Sequence, residues 1–250
     1  MKTGLFLILW LAATTSYAKC SSNGLTVWPS AKTIKQNAVF VVDGFAESQK
    51  VVKGLGASYE AYLQSGSQHI LLQVKELLIG QYELTQAVLR PVSSLEVGKQ
   101  YELVIRDKGS KTTIELGTIF RPTKVLYTVA AGTDHLPPSW KVLPHEQTKS
   151  YIEMGCGPEI FVDFVGAVQD QSEYLVKASV KNLTSGKVAS YYLPLGPDGL
   201  IKIGHSMCAG AFSLERAKRF SVVFTLMDTS ANITSWVGKP ILFTSPSLGS

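Results

Sequence analysis

The segment Gly204-His205-Ser206-Met207-Cys208 brings an imidazole, a hydroxyl and a thiol within four residues. It approximates Gly-x-Ser-x-Gly, the turn on which α/β-hydrolases present a nucleophilic serine, and Ser206 would be that nucleophile. Such a serine needs a histidine later in the chain, and none follows His205. A cysteine also stands where close packing asks for the second glycine, so no catalytic role is expected for Ser206. His205 and Cys208, three residues apart, could join Cys156 in a soft site for copper(I) or zinc. A closed zinc site wants four ligands, and no second His/Cys pair has regular spacing. The expectation adopted for the thiols is a disulfide between Cys156 and Cys208, with Cys20 as the odd cysteine. Chain entropy makes such a bond worth about 3–5 kcal/mol.

Among the acids, Glu153, Glu159, Asp163 and Asp228 could meet as a carboxylate pair for glycoside hydrolysis. Asp163, Asp170 and Asp228 could offer oxygen ligands to calcium from loops at the end of a sandwich. Scattered surface acids are the plainer account of both sets. A phosphate-cradling glycine loop, a His-Glu-x-x-His pair and a dinucleotide fingerprint are all absent from the sequence. No catalytic residue, metal ligand or cofactor is therefore expected. Asn182-Leu183-Thr184 and Asn232-Ile233-Thr234 match glycosylation acceptors and fall on expected turns. Trp28, Trp140 and Trp236 lie near strand ends, where sandwiches present loops, although packing beside proline is the commoner use of such residues.

The net charge of +5 is spread evenly, and the longest basic cluster is Arg216-Ala217-Lys218-Arg219. Nucleic-acid binding needs a concentrated basic face, so that class is set aside. Lys2, the apolar run Leu5 to Ala13 and then Ser16-Tyr17-Ala18 read as a secretory signal peptide over residues 1–18. The run is about half the roughly 20 residues needed to span a membrane. The expected location of the chain is periplasmic or secreted.

The elements that would carry these residues are strands. Ala38 to Asp43, His69 to Val74 and Gln100 to Ile105 alternate with period two, and Asp107-Lys108-Gly109 signals a hairpin returning through Lys111 to Leu116. Ile160 to Val165, Glu173 to Lys181, Val188 to Leu193, Leu200 to Ile203, Phe220 to Met227 and Ile241 to Thr244 repeat the rhythm. Thr184-Ser185-Gly186 and Pro197-Asp198-Gly199 supply turns between them. Helical spacing is confined to Tyr59–Leu63 and Ser213–Lys218. The prediction is all-β: two antiparallel immunoglobulin-like β-sandwich domains in tandem, at 24–122 and 148–246, joined by a proline-rich linker over 123–147.

The closing run Phe220 to Trp236, with Asp228-Thr229-Ser230-Ala231-Asn232 at its turn, resembles the terminal hairpin of bacterial extracellular immunoglobulin-like domains. Ala231 stands where glycine is usual. Val27-Trp28-Pro29-Ser30, Leu89-Arg90-Pro91 and Leu95 to Tyr101 resemble the sandwich of periplasmic copper-resistance-type proteins. That family's metal site uses a histidine at the mature amino terminus, and here the first histidine is His69. The resemblance thus implies the fold and not the copper ligands. What it implies for function is a non-catalytic binding or interaction module of the bacterial envelope, with an unknown protein or envelope glycan as partner. The alternative is a periplasmic metal-binding protein.

Overall fold

The structure, a computed structural model, describes residues 23–118, 120–155, 157–216 and 218–247. The expected signal peptide and Cys20 lie outside them. The first unit runs through β1 (Gly24–Trp28), β2 (Thr33–Ile34), β3 (Phe40–Phe45), the short helix α1 (Gln49–Lys53), β4 (Tyr59–Ser65), β5 (Gln68–Ile79) and β6 (Leu84–Pro91). It continues through β7 (Gln100–Asp107), β8 (Thr113–Ile114), β9 (Leu116–Thr118), β10 (Arg121–Thr123) and β11 (Val125–Val129). The second unit holds β12 (Ser139–Ile152), β13 (Glu159–Gln169), β14 (Tyr174–Asn182), β15 (Val188–Pro194), β16 (Leu200–His205), β17 (Arg219–Asp228), β18 (Ile233–Thr234) and β19 (Ile241–Thr244).

In the first unit a single strand joins both layers. The first part of β5 pairs with β4, and from Leu72 onward it pairs with β6, with a register shift between Val74 and Glu76. A bulge at such a point bends a strand and lets it change sheets. The layers β1-β3-β6 and β4-β7-β11 therefore belong to one continuous sheet. Alternation sends Phe40, Val42, Ala87 and Leu89 inward, where they meet Leu63, Tyr101, Leu103 and Tyr127 in one core. The second unit is a two-sheet sandwich, β12-β13-β16 facing β15-β14-β17-β18 with β19 also on β17. Ile160, Val162 and Phe164 from the first sheet pack on Val176, Ala178 and Phe224 from the second. The rings of Phe164 and Phe224 meet edge-on, 5.3 Å apart.

Three sequence expectations change. Tyr59–Leu63 is strand, not helix: β4 pairs with β5 and β7, and Ala61, Tyr62 and Leu63 are buried in succession, so the period-two signal is blurred. Ser213–Lys218 contains no helix among its described residues. The expected linker over 123–147 is mostly strand, because β11 completes the first unit on β7 and β12 already pairs with β13 from Ser139. The connector is the stretch 130–138. Pro144 hid β12, but that strand lies on a sheet edge and its pairing shifts register three times, which is where proline is tolerated.

The outer face of β3, β6 and β5 lies against the second unit, and Val41, Val88 and Leu78 join the second unit's core. At the centre of this seam, Gln86 treats the edge strand β15 as a neighbouring strand would. Its Nε2 donates to the Tyr192 carbonyl and its Oε1 accepts the Tyr192 N–H, each at 3.0 Å. Nε2 also donates to both carboxylate oxygens of Asp43 at 3.1 Å, and Tyr191 donates its hydroxyl to Asp43. Lys177 pairs with Glu76 and stands over the Tyr192 ring. At one end Val39 donates its N–H to Thr229 O at 2.8 Å, and the Glu173 carboxylate accepts the backbone N–H groups of Ser30 and Ala31. At the other, Tyr82 and Gly210 form an antiparallel bridge.

Burial pushes the Asp43 carboxyl up to about 6 despite its hydrogen bonds to Tyr191 and Gln86. The folded protein then holds this proton more tightly than the unfolded chain. The stabilisation is full below about pH 4 and is lost as pH rises through about 6. In Asp43→Asn, Oδ1 can still accept from both Tyr191 and Gln86 while the charge is gone. We expect the melting temperature of this variant to exceed that of the wild type near pH 8 and the gap to close toward pH 4, followed by thermal denaturation across that range. A pH-independent gap would refute the assignment.

Candidate functional site at the junction of the two units

The turn after β17 brings the second unit to the seam. Asp228 is fully buried, and its Oδ1 accepts the N–H groups of Ser230 and Asn232, each at 2.8 Å. Asn232 Nδ2 donates to Asp228 Oδ2 at 2.7 Å. This is an Asx-type turn, in which the carboxylate replaces a backbone partner. Ala231 adopts φ 62°, so the left-handed geometry that glycine usually supplies is kept without it. Ser230 Oγ donates to Asn37 Oδ1 at 3.1 Å, and Asn37 Nδ2 donates to the Asp134 carbonyl at 2.7 Å. The first unit, the connector and the second unit are thereby knotted at one place.

Two hollows open on either side of that knot. One, about 530 Å³, is lined by Gln36, Arg90, Ser93 and Ser94 from the first unit, His135 from the connector and the 230–232 turn. The other, about 260 Å³, includes Asp134, Asp170, Gln169 and Gln171. Asp134, Asp170 and Asp228 offer carboxylate oxygens within 4.8 Å of one another, the one group of metal-ligand spacing found among the described residues. Each is already engaged by protein donors: Leu136 N–H on Asp134, Ser172 on Asp170, and the turn on Asp228. Burial, and to a lesser degree the charge of Asp134, raises the Asp228 carboxyl above its ordinary range against the pull of its hydrogen bonds.

Of the acids that the sequence nominates for calcium, Asp170 and Asp228 come together and Asp163 does not. Asp163 lies on β13, beside Lys202 at 3.4 Å and Thr148 at 3.3 Å. Asp134 was unreadable because it sits in the connector, where no strand period assigns a side. Glu153 is held by Tyr151 and Arg216, so the four acids considered for glycoside hydrolysis do not gather. Ser206 ties its own turn, donating to the Ala209 carbonyl at 3.0 Å. His205 directs Nδ1 to the Ser206 carbonyl at 2.9 Å and packs on Tyr82. Cys208 is half-buried in the loop after β16, and Cys156 lies outside the described residues. Trp28, Trp140 and Trp236 are partly buried against the second unit's core. The amide of Asn232 is spent on Asp228 and Asp134, while Asn182 Oδ1 closes the turn to Thr184 and Ser185. Arg90 carries no sequence signal beyond its place before Pro91.

No protein-family model matches the chain, and no curated protein matches it. Similar solved structures include a cytokine receptor complex, at 10% identity and TM-score 0.27, covering 90% of this chain and 98% of that one. A segment of two fibronectin type III domains from chicken tenascin matches at 13% identity and TM-score 0.21, covering 90% and 99%. Pullulanase type I from Bacillus subtilis, complexed with maltose, matches at 7% identity and TM-score 0.26 over 88% of this chain and 24% of that one. This chain thus spans about a quarter of that enzyme. The fold rests on the strand order and register described above.

If the three carboxylates repel one another, removing one charge should help. Asp134→Asn keeps an oxygen for the Leu136 N–H and should raise the melting temperature near neutral pH. Because the folded-state affinity of Asp228 for its proton is raised, its destabilisation grows with pH, and the benefit should vanish below about pH 4, where carboxylates are protonated. Equal melting of variant and wild type at neutral pH would show that the cluster carries no net repulsion.

Proposed function

We propose that this chain is an exported, non-catalytic binding module of the bacterial envelope that offers the larger junction cleft to its partner. The observation that carries the reading is that the cleft walls come from both units and from the connector, while the seam fixes their relative position. A preformed concave site loses little freedom on binding. Export is supported by the apolar run before Ser16-Tyr17-Ala18. A Cys156–Cys208 cystine belongs to the same reading. It is supported by Cys208 being disulfide-bonded and by the pairing of Ile160 with His205, which draws together the chain segments bordering the two cysteines.

Two measurements test this. The intact mass of the exported protein after denaturing alkylation without reductant should show a mature start at Lys19 and one alkylated cysteine; three alkylated cysteines would remove the cystine. Purified protein should co-sediment with insoluble envelope glycan, and leucines placed at the exposed Ser93 and Ser94 to fill the cleft without adding charge should abolish retention. Undiminished retention of the blocked variant would exclude the cleft. Turnover of an envelope substrate, lost with one point substitution, would replace the binding reading with an enzymatic one.

A further inference from the structure

Building on that binding reading, we infer that the junction cleft selects a carboxylate-bearing saccharide, with Arg90 as the residue that recognises its charge. The connector separates charge. Among the described residues no carboxylate lines the larger cleft, whereas Asp134 and Asp170 lie in the neighbouring hollow. Arg90 is exposed near the end of β6, opposite Gln73 of β5, and among the described residues no carboxylate lies within ion-pair distance of it. Its guanidinium is therefore available to a ligand. A planar fork of N–H donors matches a carboxylate in bidentate fashion, which a lysine ammonium cannot do.

The rest of the lining decides what the carboxylate is attached to. Gln36, Ser93, Ser94 and Ser230 offer amides and hydroxyls, groups that both donate and accept, as ring hydroxyls do. No aromatic side chain other than the His135 imidazole lines the cleft, so a large apolar ligand finds little to bury against. Val92 and Pro91 supply one small apolar patch suited to the C–H face of a sugar. His135 also lines the cleft, with its Nε2 2.9 Å from Thr133 Oγ1. At about 530 Å³ the cleft is within the usual size range of small-ligand sites.

The experiment is isothermal titration of the full chain at low salt with three probes: a hexuronate oligosaccharide, the same oligosaccharide with its carboxyls reduced to alcohols, and inorganic phosphate. The acidic oligosaccharide should bind at least tenfold more tightly than the reduced one. Arg90→Gln should abolish that preference and Arg90→Lys should reduce it, both melting like the wild type, since the side chain is exposed. Ser94→Ala should weaken both oligosaccharides without changing their ratio. Equal affinity for the two oligosaccharides, still lost on blocking Ser93 and Ser94, would overturn the carboxylate reading and leave the binding cleft standing. Phosphate binding as tight as that of the acidic oligosaccharide would make this an anion site without a saccharide. Binding of none of the three probes would overturn the inference; only undiminished envelope retention by the blocked variant would remove the cleft itself.

Discussion

A β-sheet ends in a row of unpaired backbone donors and acceptors, and here one such row lies inside the molecule. The Tyr192 backbone on β15 would be stranded there, at a cost of about 1–3 kcal/mol per buried unpaired group, without the Gln86 amide. Gln86 is 1% exposed and Tyr192 4%, so water cannot replace either partner. Much of the seam follows from this substitution of a side chain for a strand. It fixes how far the units can slide past each other, which sets the positions of Asp43, Glu76 and the turn at 228–232. The width of the junction cleft is then a property of the seam as much as of its own lining.

The seam is costly in polar groups and therefore specific. Asp43, Gln86 and Tyr191 would be poor core residues singly, because each needs partners from the other unit. A slip of one residue along β15 would present a side chain on the opposite face and break the Gln86 pair and the Tyr191 contact together. An apolar seam of the same area would tolerate such slips. Glu173, gripping the backbone of Ser30 and Ala31, adds a second fixed point away from the first. Two fixed points define a rotation as well as a translation.

What was legible in the sequence was whatever local alternation records. β13 buries one face and its side chains alternate accordingly, whereas β3 sends Phe40 and Val42 to the first core and Val41 to the second. β4 was misread because Ala61, Tyr62 and Leu63 are buried in succession, and β12 because Pro144 and its polar residues conceal an irregular edge. The seam was illegible for another reason: Asp43 and Tyr191 are 148 positions apart, and neither departs from its local pattern. The junction cleft likewise draws Arg90, His135 and Asn232 from three distant segments. Asp170 and Asp228 were nominated as acids in end loops, which is where they lie, but nothing local could pair them with Asp134.

The path of β5 has a further consequence for behaviour at high concentration. Because that strand leaves one layer to complete the other, the two layers are joined into one sheet. Among the described residues the strand order of that sheet runs from β10, with Arg121 and Pro122, to the two-residue β2. Short strands, proline and charge at an edge discourage a second chain from adding itself there. In the second unit, β12 is long but is interrupted by Pro144 and three register shifts, so it offers no flat template. The ends of the first unit's sheet and the β12 edge are therefore poor templates for strand addition.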